Sequence, residues 1–237
     1  KRVNARLQPG GGLGRSILYL DIKEDKLDRT TLRVNNFSTR SVGEYRVEMN
    51  YENLSVMGYG DTLNANYRYT EGLYNSGLTY DFPLSAKGLR VGGYYSNTES
   101  RIISKQFTFL GFQNSTKTFG LNAVFPMINN VDGRLDLGAK LENRSSESST
   151  RVEIPTDFFS INTGEKRVRV LRLFQSGYKR YQTRVISGRS TVSKGTSGSD
   201  DRNFVSWLTQ LQWLERFSKS RSEVLLRVNA QFSNGPL

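Results

Sequence analysis

Cysteine and histidine are both absent from the 237 residues. Without cysteine there is no disulfide framework and no thiolate metal site, and the redox compartment cannot be inferred. Without histidine the chain lacks the commonest general base and the commonest transition-metal ligand. Neither a Ser-His-Asp nor a Cys-His mechanism can be built, which sets a hydrolase aside. Long apolar runs are also missing. The longest stretch, AVFPMI at 123–128, is interrupted by Pro126, so a transmembrane helix is excluded. No signal peptide opens the chain; it begins at KRVNARLQPGG in what reads as mid-strand, and the expectation is a fragment or a processed form.

What the sequence has in abundance is alternation. In DGRLDLGAKLEN (132–143), Leu135, Leu137, Ala139 and Leu141 alternate with Arg134, Asp136, Lys140 and Glu142. A period of two places the apolar set on one face of a β-strand and the charges on the other. The same pattern recurs almost throughout, and three-and-four helical spacing is rare. The chain is therefore all-β, long enough for one large unit or two small domains. About eleven strands are predicted after Asp25, with cores near 27–37, 43–54, 61–71, 73–83, 88–98, 117–127, 133–145, 166–178, 182–192, 203–216 and 222–233. Several exceed the roughly 5–6 residues usual in globular sheets and match the roughly 9–11 that cross a bilayer. Ahead of them, VNARLQPGGGLGRSILYLDIKED (3–25) reads as two strands joined by a glycine-rich turn. PGGGLGRS lacks phosphate-loop spacing and precedes a strand, not a helix, so turn chemistry accounts for it. No cofactor is expected.

The predicted links separate into two sets. SVMGYG, LSAKG, MINNVD, KRYQ and SKSR, at alternate links, are all short. The other set contains TESRIISKQFTFLGFQNST, SSESSTRVEIPTDFFSINTGE and TVSKGTSGSDDR, together with short links near 38–42 and 71–73. Every long link thus falls at one end of the sheet, as in outer-membrane barrels. Aromatic residues form same-face pairs: Tyr45 with Tyr51, Phe119 with Phe125, Trp207 with Trp213. Each pair spans roughly 20 Å of strand, or about 15 Å of height at a tilt near 40°. An apolar band about 25 Å tall would place them near its two interfacial girdles. Opposite the apolar positions stand Arg46, Glu48, Glu52, Arg68, Arg134, Asp136, Lys140, Glu142 and Arg227. These side chains line either a water-filled lumen or an ordinary solvated strand face.

The formal charge is +12, which suits nucleic acid, anionic lipid headgroups or an acidic partner. The cations are spread along the chain and concentrate only in EKRVRVLRLFQSGYKRY (165–181), a block that would contact lipopolysaccharide phosphates or a client, or form a solvated rim. No nucleic-acid module is recognisable, and no nucleic-acid partner is expected. In KRVRVLRLF the phase slips between Val170 and Leu171. Either a β-bulge or a misplaced boundary accounts for it.

Three stretches resemble the TpsB family of two-partner secretion transporters, within the Omp85 superfamily. Residues 3–25 look like the last two strands of a periplasmic POTRA domain. NLSVMGYGDTLNANY (53–67) is similar to the family's first periplasmic turn, with its asparagine-leucine pair and G-x-G-D. YDFPLSAKGLRVGGYYS (80–96) is similar to its second turn. The resemblance implies a transmembrane antiparallel β-barrel of sixteen strands, with residues 1–25 ending a POTRA domain and 26–237 forming about eleven of those strands. A Val-Arg-Gly-Tyr outer loop that the family carries between strands eleven and twelve has no counterpart here. The resemblance further implies an outer-membrane location in a Gram-negative bacterium, a periplasmic POTRA portion, and export of a large secreted client of adhesin or haemolysin type, without nucleotide. The membrane partners would be outer-membrane lipid and lipopolysaccharide. Two alternatives stand beside this reading: an Omp85-type insertase or simple porin, and a soluble β-rich binding domain, which the low mean hydropathy would suit.

Overall fold

The structure is a computed structural model that describes residues 2–12, 14–23, 26–106, 108–154, 157–197, 202–217 and 222–234. A small sheet comes first, formed by β1 (Arg2–Pro9) and β2 (Ser16–Lys23), antiparallel from the Arg2–Lys23 pair to the Pro9–Ser16 pair. Its turn lies in the glycine run, where the Gly10 N–H donates to the Arg15 carbonyl at 2.8 Å.

The rest is one eleven-stranded sheet. Its strands are β3 (Asp28–Asn35), β4 (Arg46–Asn53), β5 (Thr62–Thr70), β6 (Leu73–Pro83), β7 (Arg90–Arg101), β8 (Gln113–Asn129), β9 (Gly133–Ile154), β10 (Asp157–Arg180), β11 (Arg184–Ser197), β12 (Arg202–Phe217) and β13 (Ser222–Ser233). Each pairs antiparallel with the next, and the spatial order is the chain order. This up-and-down meander is the topology that hairpin connections produce. Among the described residues, β3 and β13 are each bonded on one side only.

All eleven expected strands are present, with two corrections. The segment around SSESSTRVEIPTDFFSINTGE is not a long loop. β9 and β10 continue through it as a hairpin, with Asp157 opposite Ile154, and run to 22 and 24 residues. Likewise β11 and β12 absorb most of TVSKGTSGSDDR. Ser145 to Thr150 and Lys194 to Ser197 carry no apolar side chain, so periodicity is silent there; backbone pairing continues regardless of side-chain polarity. The 102–112 link does remain a loop, with a short 3-10 turn at Thr108–Leu110. The second correction concerns the bulge. No register shift occurs at Val170 and Leu171, which pair in sequence with Glu142 and Leu141. The shifts fall instead between Pro126 and Ile128 and between Asn162 and Glu165. Pro126 has no N–H for the ladder, which is why pairing breaks there.

Both ends of the sheet are tied together. At one end the 36–45 loop folds back onto its neighbours: Gly72 N–H donates to the Val42 carbonyl at 2.8 Å, and Ile103 N–H to the Ser41 carbonyl at 2.9 Å. At the other end Gly58 and Gly60 take φ of 87° and 76°, a region only glycine enters freely. The turn they shape lets Asp61, fully buried, accept the Met57 N–H at 3.1 Å and the Tyr80 hydroxyl at 3.0 Å.

Among the described residues no apolar core lies between layers. Val170, at 4 % exposure, is the one buried hydrophobic side chain among the described residues. The accessible surface is 17908 Å², against about 11,000 Å² for a globular monomer of this size. The excess is what a single sheet, open on both faces, must show.

Candidate functional site: the two faces of the large sheet

Residues directly opposite in an antiparallel pair share a face, so the registers sort every side chain. Starting from Leu141, the row Leu121–Leu141–Leu171 lies on one face. Starting from Glu142, the row Tyr94–Gly120–Glu142–Val170 lies on the other. The first is apolar and the second charged.

On the apolar face stand Leu137, Leu173, Val192, Leu211 and Val228, all at least a third exposed. Tyr51, Phe119, Phe125, Trp207 and Trp213 share it by register, and Tyr45 immediately precedes β4 at 77 % exposure. Trp207 stacks on Phe232 with centroids 5.8 Å apart and donates its indole N–H to Ser190 Oγ at 2.8 Å.

The aromatic pairs are offset from one strand to the next along the hydrogen-bonding rows. Tyr51 and Phe119 stand at opposite ends of their respective pairs, yet one hydrogen-bonding row joins them through Ala65, Leu78 and Tyr95. Four strand spacings of about 4.8 Å make roughly 19 Å. With strands inclined near 40°, such a row climbs about 12 Å, close to the height separating the two members of a pair. A level apolar band would therefore run diagonally across the hydrogen-bonding rows, as it does in barrels with tilted strands.

Every charged candidate read from the sequence lies on the other face. Glu48, at 8 % exposure, accepts a hydrogen bond from Arg68 Nε at 2.9 Å and forms an ion pair with Arg46, whose Nε lies 3.2 Å away. Arg33 stands directly across from it. Glu52 lies between Arg29 and Asn64. Arg134 bonds Asp136 at 2.8 Å. Lys140 and Arg172 reach Glu142 Oε2 at 3.3 and 2.8 Å. Arg227 stands opposite Gln212. An uncharged ladder continues the face, Asn66 to Asn75 at 3.1 Å and Asn75 to Thr98 at 2.7 Å.

The sequence reading missed what glycine does here. On the charged face Tyr94 pairs with Gly120, Phe174 with Gly138, and Phe204 with Gly195. In each pair the ring lies where a glycine Cβ would be, 2.1–2.3 Å from it. The large side chain thus lies flat against the sheet. Arg189 then covers the Phe174 ring at 4.3 Å and Lys140 the Tyr94 ring at 4.2 Å. In-strand glycine on the charged parity, as in LDLGAKL, is the signal that would have revealed it.

The basic block at 165–181 proves to be divided. Along β10, Lys166 and Arg172 take the charged face, whereas Arg167 and Arg169 take the apolar one, outward of Leu171 and Leu173. Among the described residues no group of three or more acidic side chains is placed to hold a metal ion.

A long-stranded antiparallel meander, apolar on one face and charged on the other, is the kind of sheet from which membrane β-barrels are built. Solved structures agree on the fold. CdiB from Escherichia coli matches with a TM-score of 0.75 at 15% identity, covering 100% of this chain and 46% of that one. CdiB from Acinetobacter baumannii matches with a TM-score of 0.70 at 15% identity, covering 100% and 45%. The chain therefore spans less than half the length of either. Comparison with curated protein sequences finds no match. The family model described as haemolysin secretion/activation protein ShlB/FhaC/HecB matches residues 14–237, and the chain belongs to that family, the TpsB transporters.

Proposed function

We propose that this chain forms part of the wall of an outer-membrane pore that exports a large secreted partner protein in two-partner secretion. The observation that carries the reading is the exposed apolar face backed by a charged one. Apolar surface left in water costs about 25 cal/mol per Å², and no element of the described chain covers this face. Lipid removes that cost. The charged face then borders the lumen, and Arg46, Glu48, Glu52, Arg68, Arg134, Asp136, Lys140, Glu142 and Arg227 line it. Ion pairs held within the wall, such as Arg68 with Glu48, neutralise one another there. An extended client meets many weak contacts and no strong one, which is what passage requires. Export draws on no cofactor in this reading.

The remaining parts follow from that orientation. Tyr45, Tyr51, Phe119, Phe125, Trp207 and Trp213 occupy the two lipid interfaces. The tight-turn end faces the periplasm, where residues 1–25 end a POTRA domain and residues 26–237 begin the barrel. The client is of adhesin or haemolysin type, large and passed unfolded. Family membership supports an exporter over an insertase.

The test uses the full-length protein in an outer membrane with its partner protein supplied. Heat-modifiable migration in detergent and appearance of the partner in the medium are expected. A partner retained in the periplasm only when this protein is deleted supports export. Loss of other outer-membrane proteins instead would favour the insertase, and migration unaffected by heat would favour a soluble β-domain.

A further inference from the structure

At the top of the leucine rows the apolar face carries two exposed cations, Arg169 and Lys194, that have no carboxylate partner among the described residues. Arg169 of β10 stands opposite Asn143 and Thr196, and one row away Leu171 stands opposite Leu141 and Lys194. Arg169 and Lys194 are thus diagonal neighbours on adjacent strands, about 7–8 Å apart. Arg167 differs from both in having a carboxylate partner, since Glu165 holds it at 2.8 and 3.0 Å. The uncommitted pair sits where the leucine rows begin, on the face directed to lipid and at the end opposite the tight turns.

Beneath the pair the sheet is hollowed. Gly93, which has no side chain, and the methyl groups of Ala123 and Ala139 floor a shallow groove of about 570 Å³ walled by Leu121, Leu141 and Leu171, the last of which stands opposite Lys194. A second hollow of about 480 Å³ shares Ala123 and Ala139 and continues past Leu137 and Leu173. A cationic rim above an apolar trough matches an amphiphile with a phosphate head and hydrocarbon tails. Lysine and arginine at a membrane surface each attract anionic headgroups appreciably, and the small-residue floor gives acyl chains close contact.

We propose that Arg169 and Lys194 bind a phosphate of lipopolysaccharide in the outer leaflet, its acyl chains lying along the Ala123–Ala139 groove. This rests on the outer-membrane reading above, which sets the loop end outward. Solvated rim cations would be indifferent to which lipid lies beside them; a site is not.

The test is binding of diphosphorylated lipid A, of its dephosphorylated form, and of phosphatidylglycerol to the full-length protein in neutral detergent. The wild type should prefer the diphosphorylated lipid. The double variant Arg169→Gln with Lys194→Gln should bind it about thirtyfold more weakly, from a contribution of about one kcal/mol per cation. Lys179→Gln, on the same face at the tight-turn end, should bind like wild type. Heat-modifiable migration must persist in every variant; its absence in the wild type would overturn the membrane reading itself. Equal binding of lipid A and its dephosphorylated form, or unchanged binding by the double variant, would overturn the site. Equal binding of phosphatidylglycerol would overturn the assignment to lipopolysaccharide.

Discussion

Tyr94 of β7 reaches across β8 and donates its hydroxyl to Glu142 of β9 at 2.5 Å. The intervening residue is Gly120, and a Cβ there would stand 2.2 Å from the ring. A two-strand reach along the wall therefore depends on one missing methyl group. Glu142 also holds Arg172 and Lys140, so the glycine indirectly fixes four side chains.

Gly120→Ala should force the ring off the wall and break the bond to Glu142, at a cost of about 1–3 kcal/mol. Tyr94→Phe keeps the ring and loses the hydroxyl alone, for about 1 kcal/mol. Gly120→Ala combined with Tyr94→Ala should cost less than the sum of the single changes, because the clash has gone. Denaturant unfolding of the full-length protein from lipid vesicles reads all of these.

The apolar face should tolerate charge according to depth. Leu173→Arg, amid the leucine and alanine rows, should cost about 2–4 kcal/mol, whereas Arg169→Leu at the rim should cost less than 1 kcal/mol. Gln175, exposed on the same face beside Leu137, should yield a slightly more stable protein as Gln175→Leu. The same vesicle unfolding decides it; equal costs at all depths would deny a membrane environment.

Asp61 makes the Met57–Asp61 turn sensitive to acid. Burial alone would raise its carboxyl, but hydrogen bonds from the Met57 N–H, the Tyr80 hydroxyl and the N–H groups of Asp61 and Tyr59 hold it below the ordinary carboxylate value. The unfolded chain therefore takes up the proton first as pH falls. The stability Asp61 contributes is complete above about pH 4 and is lost as pH falls through its lower folded value. Wild type should lose stability more steeply than Asp61→Asn across that window. Parallel pH profiles would show that the carboxylate contributes nothing.

Strand existence and facing were legible because a half-exposed sheet writes a period of two into its sequence, as between Leu135 and Glu142. Where both faces meet water, as along the Ser-rich 145–150 stretch, that signal vanishes although pairing continues. The slip at Val170 was real but not a bulge. Val170 is an apolar residue buried on the charged face opposite Glu142, and Arg167 and Arg169 are cations on the apolar one. Periodicity treats polarity as a proxy for facing, and at such residues the proxy fails. The charged pairs themselves depend on cross-strand register, which no local window contains. Gly120 and Glu142, 22 positions apart, become neighbours only once β8 and β9 are aligned.

The most direct measurement of the central claim exploits the absence of cysteine. Single cysteines placed in turn from Arg134 to Asn143 in the full-length protein, spin-labelled and reconstituted in bilayers, would report contact with lipid-soluble oxygen and with a water-soluble nickel complex. The account predicts alternation, with Leu135, Leu137, Ala139 and Leu141 open to oxygen and Arg134, Asp136, Lys140 and Glu142 open to nickel. Uniform nickel access along the segment, or leucine positions closed to both probes, would contradict it.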